Sequence, residues 1–328
     1  MYMQESFNTP LRWQSFFFLL NVKLKDLRYA GLPMLAMFIA GSICTVIGVL
    51  AGYFITQPQH HDIQQSYAVA GMYTGTYTGG SVNLNAVALQ YGVNKEGTLF
   101  AAINAVDNIV GTTWIMITLV LPSFLQKFFP REKKLSGLSS DISGQEAVNK
   151  ISFGKEEVTV PGISILLALG FGSLFLSNLL SQYIPQIPSI LTLTTLALIL
   201  AQIPFIQKIN GARVMGYFLV LVFLAVIGAF CDFKALSQSG DVAGLLLLWV
   251  SILIIIHGVL IFFIGGLFKQ DWDLISIASN ANVGGTATAA VCAASLGRKD
   301  LELPGLLAAS VGNAAGTYLG IMVAELLK

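Results

Sequence analysis

From Val242 to Phe268 the sequence runs without an Asp, Glu, Lys or Arg, and it does so again over Ala30–Thr56, Pro161–Gln182 and Ser189–Ile206. A helix that crosses a bilayer needs about 20 consecutive, mostly apolar residues. These runs are continuous rather than alternating, so they lack the in-out pattern of a membrane β-barrel. Thr98–Leu121, Val214–Phe230 and Leu303–Leu327 are further apolar spans. The chain therefore reads as all-α and polytopic, a protein of the bacterial inner membrane with the lipid bilayer as its first partner.

Composition agrees. The chain is 55% hydrophobic and 11% charged, with mean hydropathy +0.74, where soluble domains carry about 25% charged residues. Its basic residues are scattered among loops, which argues against nucleic acid as a partner. Cys44, Cys231 and Cys292 sit in or beside apolar runs without metal-ligand spacing and read as buried thiols. Neither a nucleophile–base pair nor a cofactor motif stands out, so the expectation is a non-enzyme without a resident cofactor.

Two stretches differ from the plain spans. Ser66–Tyr91 and Trp272–Leu296 are rich in Gly, Ala, Thr and Asn, and each has a Gly-Gly pair at its centre. A shift of 205 residues (284 − 79) lays Gly79-Gly80 on Gly284-Gly285 and Ser81 on Thr286. The same shift lays Asn108, Gly111 and Thr112 on Asn313, Gly316 and Thr317. The chain thus divides into a first membrane repeat (1–122), a hydrophilic linker (123–160) and a second repeat (161–328). Pro161–Gln182 and Ser189–Ile206 have no counterpart in the first half, because their expected position, 161 − 205, is −44. The first repeat therefore reads as truncated by roughly 45 residues at its N-terminus, by that register.

Charge decides how the Gly-Gly stretches meet the membrane. If both cross, the basic linker, Lys208, Arg213 and Lys269 fall outside, against the positive-inside tendency. If each enters, turns at Gly-Gly and returns, those residues join Lys23, Lys25, Arg28, Arg298 and Lys299 inside. Only Arg12, Lys95, Lys234 and Lys328 then lie outside or at the outer end. This favours inverted repeats with re-entrant hairpins over crossing but broken helices, and places the linker in the cytoplasm.

A Gly-Gly pair costs helix stability, about 1 kcal/mol per Gly. Freed backbone is tolerated in a membrane only against protein or a watery cavity. Thr76, Thr78, Gly79, Gly80, Ser81 and Asn83 around the first pair, with Asn280, Asn282, Gly284, Gly285, Thr286 and Thr288 around the second, form the candidate solute site. A helix that starts after such a break offers its N–H groups to an anion. Close packing of small residues is the competing reading. Asp107 lies mid-span, and a carboxylate inside a membrane marks function by default. With Asn104, Asn108, Asn313 and Thr317 it forms the candidate Na⁺ or H⁺ coupling set. His257 reads as a satisfied core residue, Asp271 and Asp273 as a solvated helix start beside Trp272, and Arg298 and Lys299 as ordinary loop charges.

The runs GMYTGTYTGGSVNLNAVA, INAVDNIVGT and SNANVGGTATAAVCAASLGR together resemble the YjcL-like membrane family of unknown function, from Asn21 to the C-terminus. Members of that family begin with additional hydrophobic segments. More remotely, the Gly-Gly stretches look like the hairpins of sodium/glutamate symporters and citrate carriers. That resemblance implies a Na⁺-coupled carrier of a small solute, anionic or amino-acid-like, working by alternating access, and by analogy a homodimer. The second hairpin reads GGTAT, without the His that commonly follows Gly-Gly in the glutamate carriers. A channel, a membrane enzyme and a sensor or scaffold are the alternatives.

Overall fold

The computed structural model describes residues 30–131 apart from Asp62 and Gln64, then 158–184, 189–212 and 240–328, with isolated positions within 13–20 and 214–222. The regular elements there are all helical. The first four are α1 (Leu32–Thr56), α2 (Ser66–Gly79), α3 (Ser81–Tyr91) and α4 (Gly97–Phe128). After the linker come α5 (Val160–Tyr183), α6 (Ser189–Leu200), α7 (Gly240–Leu267), α8 (Trp272–Val283), α9 (Gly285–Ser295) and α10 (Lys299–Leu327). Five of them, α1, α4, α5, α7 and α10, are long and apolar enough to cross a membrane.

Sequence and structure differ at two spans. The run Ser189–Ile206 is helical only to Leu200 and then turns, because Pro204 disfavours helical backbone just before it. Most of the Val214–Phe230 span, like the linker from 132 to 157, lies outside the described residues. In the other direction, α4 outruns its expected end at Leu121 and carries Pro122 within the helix.

The two Gly-Gly stretches are broken helices whose arms fold back on each other. α2 stops at Gly79, and Gly80 has φ 95° and ψ 172°, a conformation essentially restricted to glycine. In α2–α3, a side chain at Gly75 would meet Asn83, and one at Gly71 would meet Val87, so the arms run antiparallel. In α8–α9, the Thr288 hydroxyl donates to the Asn280 carbonyl at 2.7 Å across the turn. At 1.5 Å per residue the leading arms α2 and α8 are only about 21 and 18 Å long, short of the roughly 30 Å hydrocarbon core. They are nevertheless the most enclosed elements: every residue of α8 is buried, and so is every residue of α2 except Tyr67.

The two pairs enter the bundle from opposite ends. α1 and α7 run antiparallel, with Gly41 facing Ile261, Gly48 facing Leu253 and Gly52 facing Trp249. At the end where α1 finishes, Tyr53 approaches Ser66, and Tyr91 donates to Glu325 at 2.8 Å. That end holds the mouth of α2–α3. At the end where α7 finishes, Arg131 donates to the carbonyls of Gly265, Gly266 and Gln270, and Trp272 donates to the Phe129 carbonyl at 3.0 Å. That end holds the mouth of α8–α9.

A glycine seam holds the first pair in place. Gly71, Gly75 and Gly79 on α2 face Gly320, Gly316 and Gly312 on α10 in antiparallel register. A side chain at Gly316 would stand 2.9 Å from the Gly75 carbonyl oxygen, and one at Gly320 would stand 2.6 Å from that of Gly71. Small residues spaced by four let membrane helices reach backbone contact. α5 and α6 pack on each other, and α6 meets the bundle through α3 and α10, where Thr195 and Tyr318 share a 2.7 Å hydrogen bond.

Candidate functional site

The two turns meet. A side chain at Gly285 would stand 3.1 Å from the Gly79 carbonyl oxygen, and one at Gly80 would stand 3.5 Å from that of Gly284. The meeting point faces Gly312, near the middle of α10. α3 and α9 both begin at this point, so their first N–H groups and positive dipole ends converge there. Ser81 and Ala287 are exposed beside the turns, and Thr286 and Asn313 are partly so.

Asp107 stands next to the first turn and is 8% exposed. The Thr76 hydroxyl is 3.4 Å from each of its oxygens, and the Ser81 hydroxyl is 3.3 Å from Oδ2. Thr76 comes from the arm before the turn and Ser81 from the arm after it. The hydroxyls of Tyr73 and Tyr77 are fully buried and lie within reach of the carboxylate's charge, and the Tyr77 hydroxyl is close enough to interact with Asp107 directly. Among the described residues no Lys, Arg or His pairs with Asp107.

Of the other residues in the expected coupling set, Asn313 adjoins the first turn, while Asn104, Asn108 and Thr317 bond elsewhere. Asn104 donates to the Phe100 carbonyl and Asn108 to the Asn104 carbonyl, both on their own helix. Asn108 is exposed on another side of α4. Thr317 donates to Asn83 Oδ1 at 2.8 Å, on the α2–α10 seam. Asn108, one residue on from Asp107, is turned from it by about 100° around the helix.

The asparagines of the expected solute site are fully or nearly fully enclosed and hold helices together. Asn83 donates to the Gly312 carbonyl. Asn280 donates to Thr118 at 2.8 Å. Asn282 donates to the Phe38 carbonyl and accepts from Ser42. The Thr78 hydroxyl is buried without a partner, and Thr288 closes the second turn as described above.

A polar chain unnoticed in the sequence joins the two pairs. Thr45 donates to the Tyr77 carbonyl at 2.8 Å and lies 3.1 Å from His257 Nδ1. His257 Nε2 lies 2.9 Å from Ser279 Oγ, which accepts from Trp114 Nε1 at 3.0 Å. The Thr45 proton is committed to Tyr77, so His257 donates from Nδ1 and accepts the Ser279 proton at Nε2. All donors are satisfied by one neutral tautomer. The expectation of a satisfied core histidine matches this geometry, but the residues it joins were not legible from a lone His.

Arg298 differs from its expectation. It is 5% exposed rather than a free loop charge. Its guanidinium holds Asp271, Asp273 and Asp300, tying the start of α8 to the start of α10. Burial works against its charge, but the carboxylates of Asp300 and Asp271 outweigh that and hold it above the ordinary range. Asp271 also caps α8 by accepting from the Asp273 N–H at 2.9 Å.

Comparison with known proteins fits the whole chain into one group. The uncharacterized membrane protein YjcL of Bacillus subtilis (strain 168) is 27% identical over 334 residues, covering 96% of this chain and 80% of the relative. Residues 7–328 match the DUF819 family, described as proteins of unknown function. With its apolar helices and that match over nearly its full length, the chain is a membrane protein and belongs to the DUF819 family.

Proposed function

We propose that this protein is a secondary active transporter, with its solute site at the junction of the Gly79-Gly80 and Gly284-Gly285 turns. The observation that carries the reading is the meeting of two short helix pairs with deeply buried leading arms, from opposite ends of the bundle, beside Asp107, which has no basic partner among the described residues. We read the pairs as re-entrant hairpins of two inverted repeats. Discontinuous helices that meet near mid-membrane are a recurring architecture of secondary carriers. The N-terminal ends of α3 and α9 favour a carboxylate, and Asp107 favours a cation. Together they suit a small carboxylic or amino acid moved with Na⁺ or H⁺.

Alternating access needs one body to move against another. α1 and α7 interlock with each other, since a side chain at Gly48 would stand 2.7 Å from the Leu253 carbonyl oxygen. Both helices also join the hairpins through Thr45, His257 and Ser279. The boundary better suited to movement is that between this bundle and α5–α6.

The test is thermal stabilisation of the purified protein by a panel of amino and carboxylic acids, with NaCl or with choline chloride at equal ionic strength. Stabilisation by a solute that requires Na⁺ supports the reading. A linear, unsaturating ion flux in liposomes with no solute stabilisation would make the protein a channel.

A further inference from the structure

We propose that Asp107, Thr76 and Ser81 form a binding site for one monovalent cation, Na⁺ in the first instance, that straddles the Gly79-Gly80 turn. This deepens the carrier reading by naming the ion's ligands, and it rests on that reading only for its consequence in transport.

The distances carry the argument. A hydroxyl that donates to a carboxylate settles at about 2.5–2.7 Å. Here the hydroxyl–carboxylate separations are 3.3 and 3.4 Å. A hard cation with oxygen ligands at roughly 2.3–2.6 Å spaces ligands set at right angles by that length times √2, roughly 3.3–3.7 Å. The oxygens are thus spread as ligands of a shared ion would be, rather than drawn together as a hydrogen-bonded pair.

The charge agrees. Among the described residues the buried carboxylate faces neutral hydroxyls alone, so a single positive charge neutralises the site, and a divalent ion would leave an excess charge buried. The enclosed hydroxyls of Tyr73 and Tyr77 lie near the same carboxylate, and that of Tyr73 has no hydrogen-bond partner among the described residues. α2 ends here as well, and the negative end of its dipole favours a cation.

The placement has a mechanical consequence. Thr76 precedes the glycine turn, Ser81 follows it, and Asp107 belongs to the separate helix α4. A cation bound by all three ties both arms of the hairpin to α4. When the cation leaves, the long hydroxyl contacts alone remain, and the tip is released from α4. Ser81 also borders the solute site, so ion occupancy sets the position of one solute-facing hydroxyl.

The test is Na⁺ binding to purified full-length protein, read as the NaCl-dependent rise in melting temperature against choline chloride at fixed pH and ionic strength. The wild type is expected to show a saturable rise. Ser81→Ala, at an exposed position that does not threaten folding, is expected to weaken Na⁺ affinity about tenfold or more, within the range seen when supporting groups of a metal site are lost. Thr76→Ser is expected to retain affinity, and Thr76→Val to lose it. Thr112→Val, on the exposed side of α4, serves as the folded control with wild-type affinity. An unchanged Na⁺ response in Ser81→Ala and Thr76→Val, or a wild type stabilised by acidification but not by Na⁺, would overturn the proposal. Loss of affinity in Asn108→Ala with Ser81→Ala unaffected would overturn it too. Na⁺ binding as described, without solute-dependent uptake, would instead count against the carrier reading alone.

Discussion

Gly79 of α2 lies so close to Gly312 of α10 that a side chain on Gly312 would stand 2.8 Å from the Gly79 Cα. This contact fixes the first Gly-Gly turn against the helix that closes the second half. Overfilling a packed site costs about 1–3 kcal/mol. Gly312→Ala and Gly79→Ala are therefore expected to lower thermal stability by that order. Gly111→Ala serves as the contrast, since nothing lies within 4 Å of the added carbon. It is expected to leave stability unchanged or raise it by up to about 1 kcal/mol, the helix preference of Ala over Gly. Melting curves of the three variants in one detergent check this.

That pairing shows how far the sequence could be read. The Gly-Gly pairs mark both helix breaks to within one residue, because two adjacent glycines weaken a continuous helix. The partner of each glycine was another matter. Close packing and a solute site are rival readings of such small-residue stretches, and Gly71, Gly75 and Gly79 are closely packed on α10. The matched spacing of Gly71, Gly75 and Gly79 with Gly312, Gly316 and Gly320 was the signal that could have predicted the seam. Asp107 is conspicuous in the sequence because it is a charge in an apolar run. That Thr76 and Ser81 lie beside it is not legible there, since a pattern along one helix does not say which side faces a neighbour.

Arg298 holds three carboxylates at the mouth of the second hairpin. Removing one partner of a buried ion pair costs about 3–5 kcal/mol, because the charges left behind stay buried. Arg298→Met is expected to lose stability of that order. Arg298→Lys is expected to recover only part of it, since an ammonium cannot reproduce the planar fork. Thermal unfolding of the two variants checks the ranking, and equal stability of Arg298→Met and wild type would contradict it.

His257 joins Thr45 on α1 to Ser279 on α8. His257→Leu removes the acceptor for the buried Ser279 hydroxyl and is expected to cost about 1–3 kcal/mol. His257→Gln, which offers both a donor and an acceptor, is expected to lie between Leu and wild type. Should Leu and Gln prove equally stable, packing volume rather than hydrogen bonding would be the contribution of this side chain.

The central claim concerns what the junction of the two turns does, and solute uptake into proteoliposomes tests it most directly. Wild-type protein, challenged with the carboxylic and amino acid panel, is expected to give saturable uptake of at least one solute in NaCl and none in choline chloride. Asp107→Asn, checked for folding by its melting curve, is expected to abolish the Na⁺ dependence. Solute uptake of equal size in both salts, or uptake unchanged in Asp107→Asn, would contradict the account.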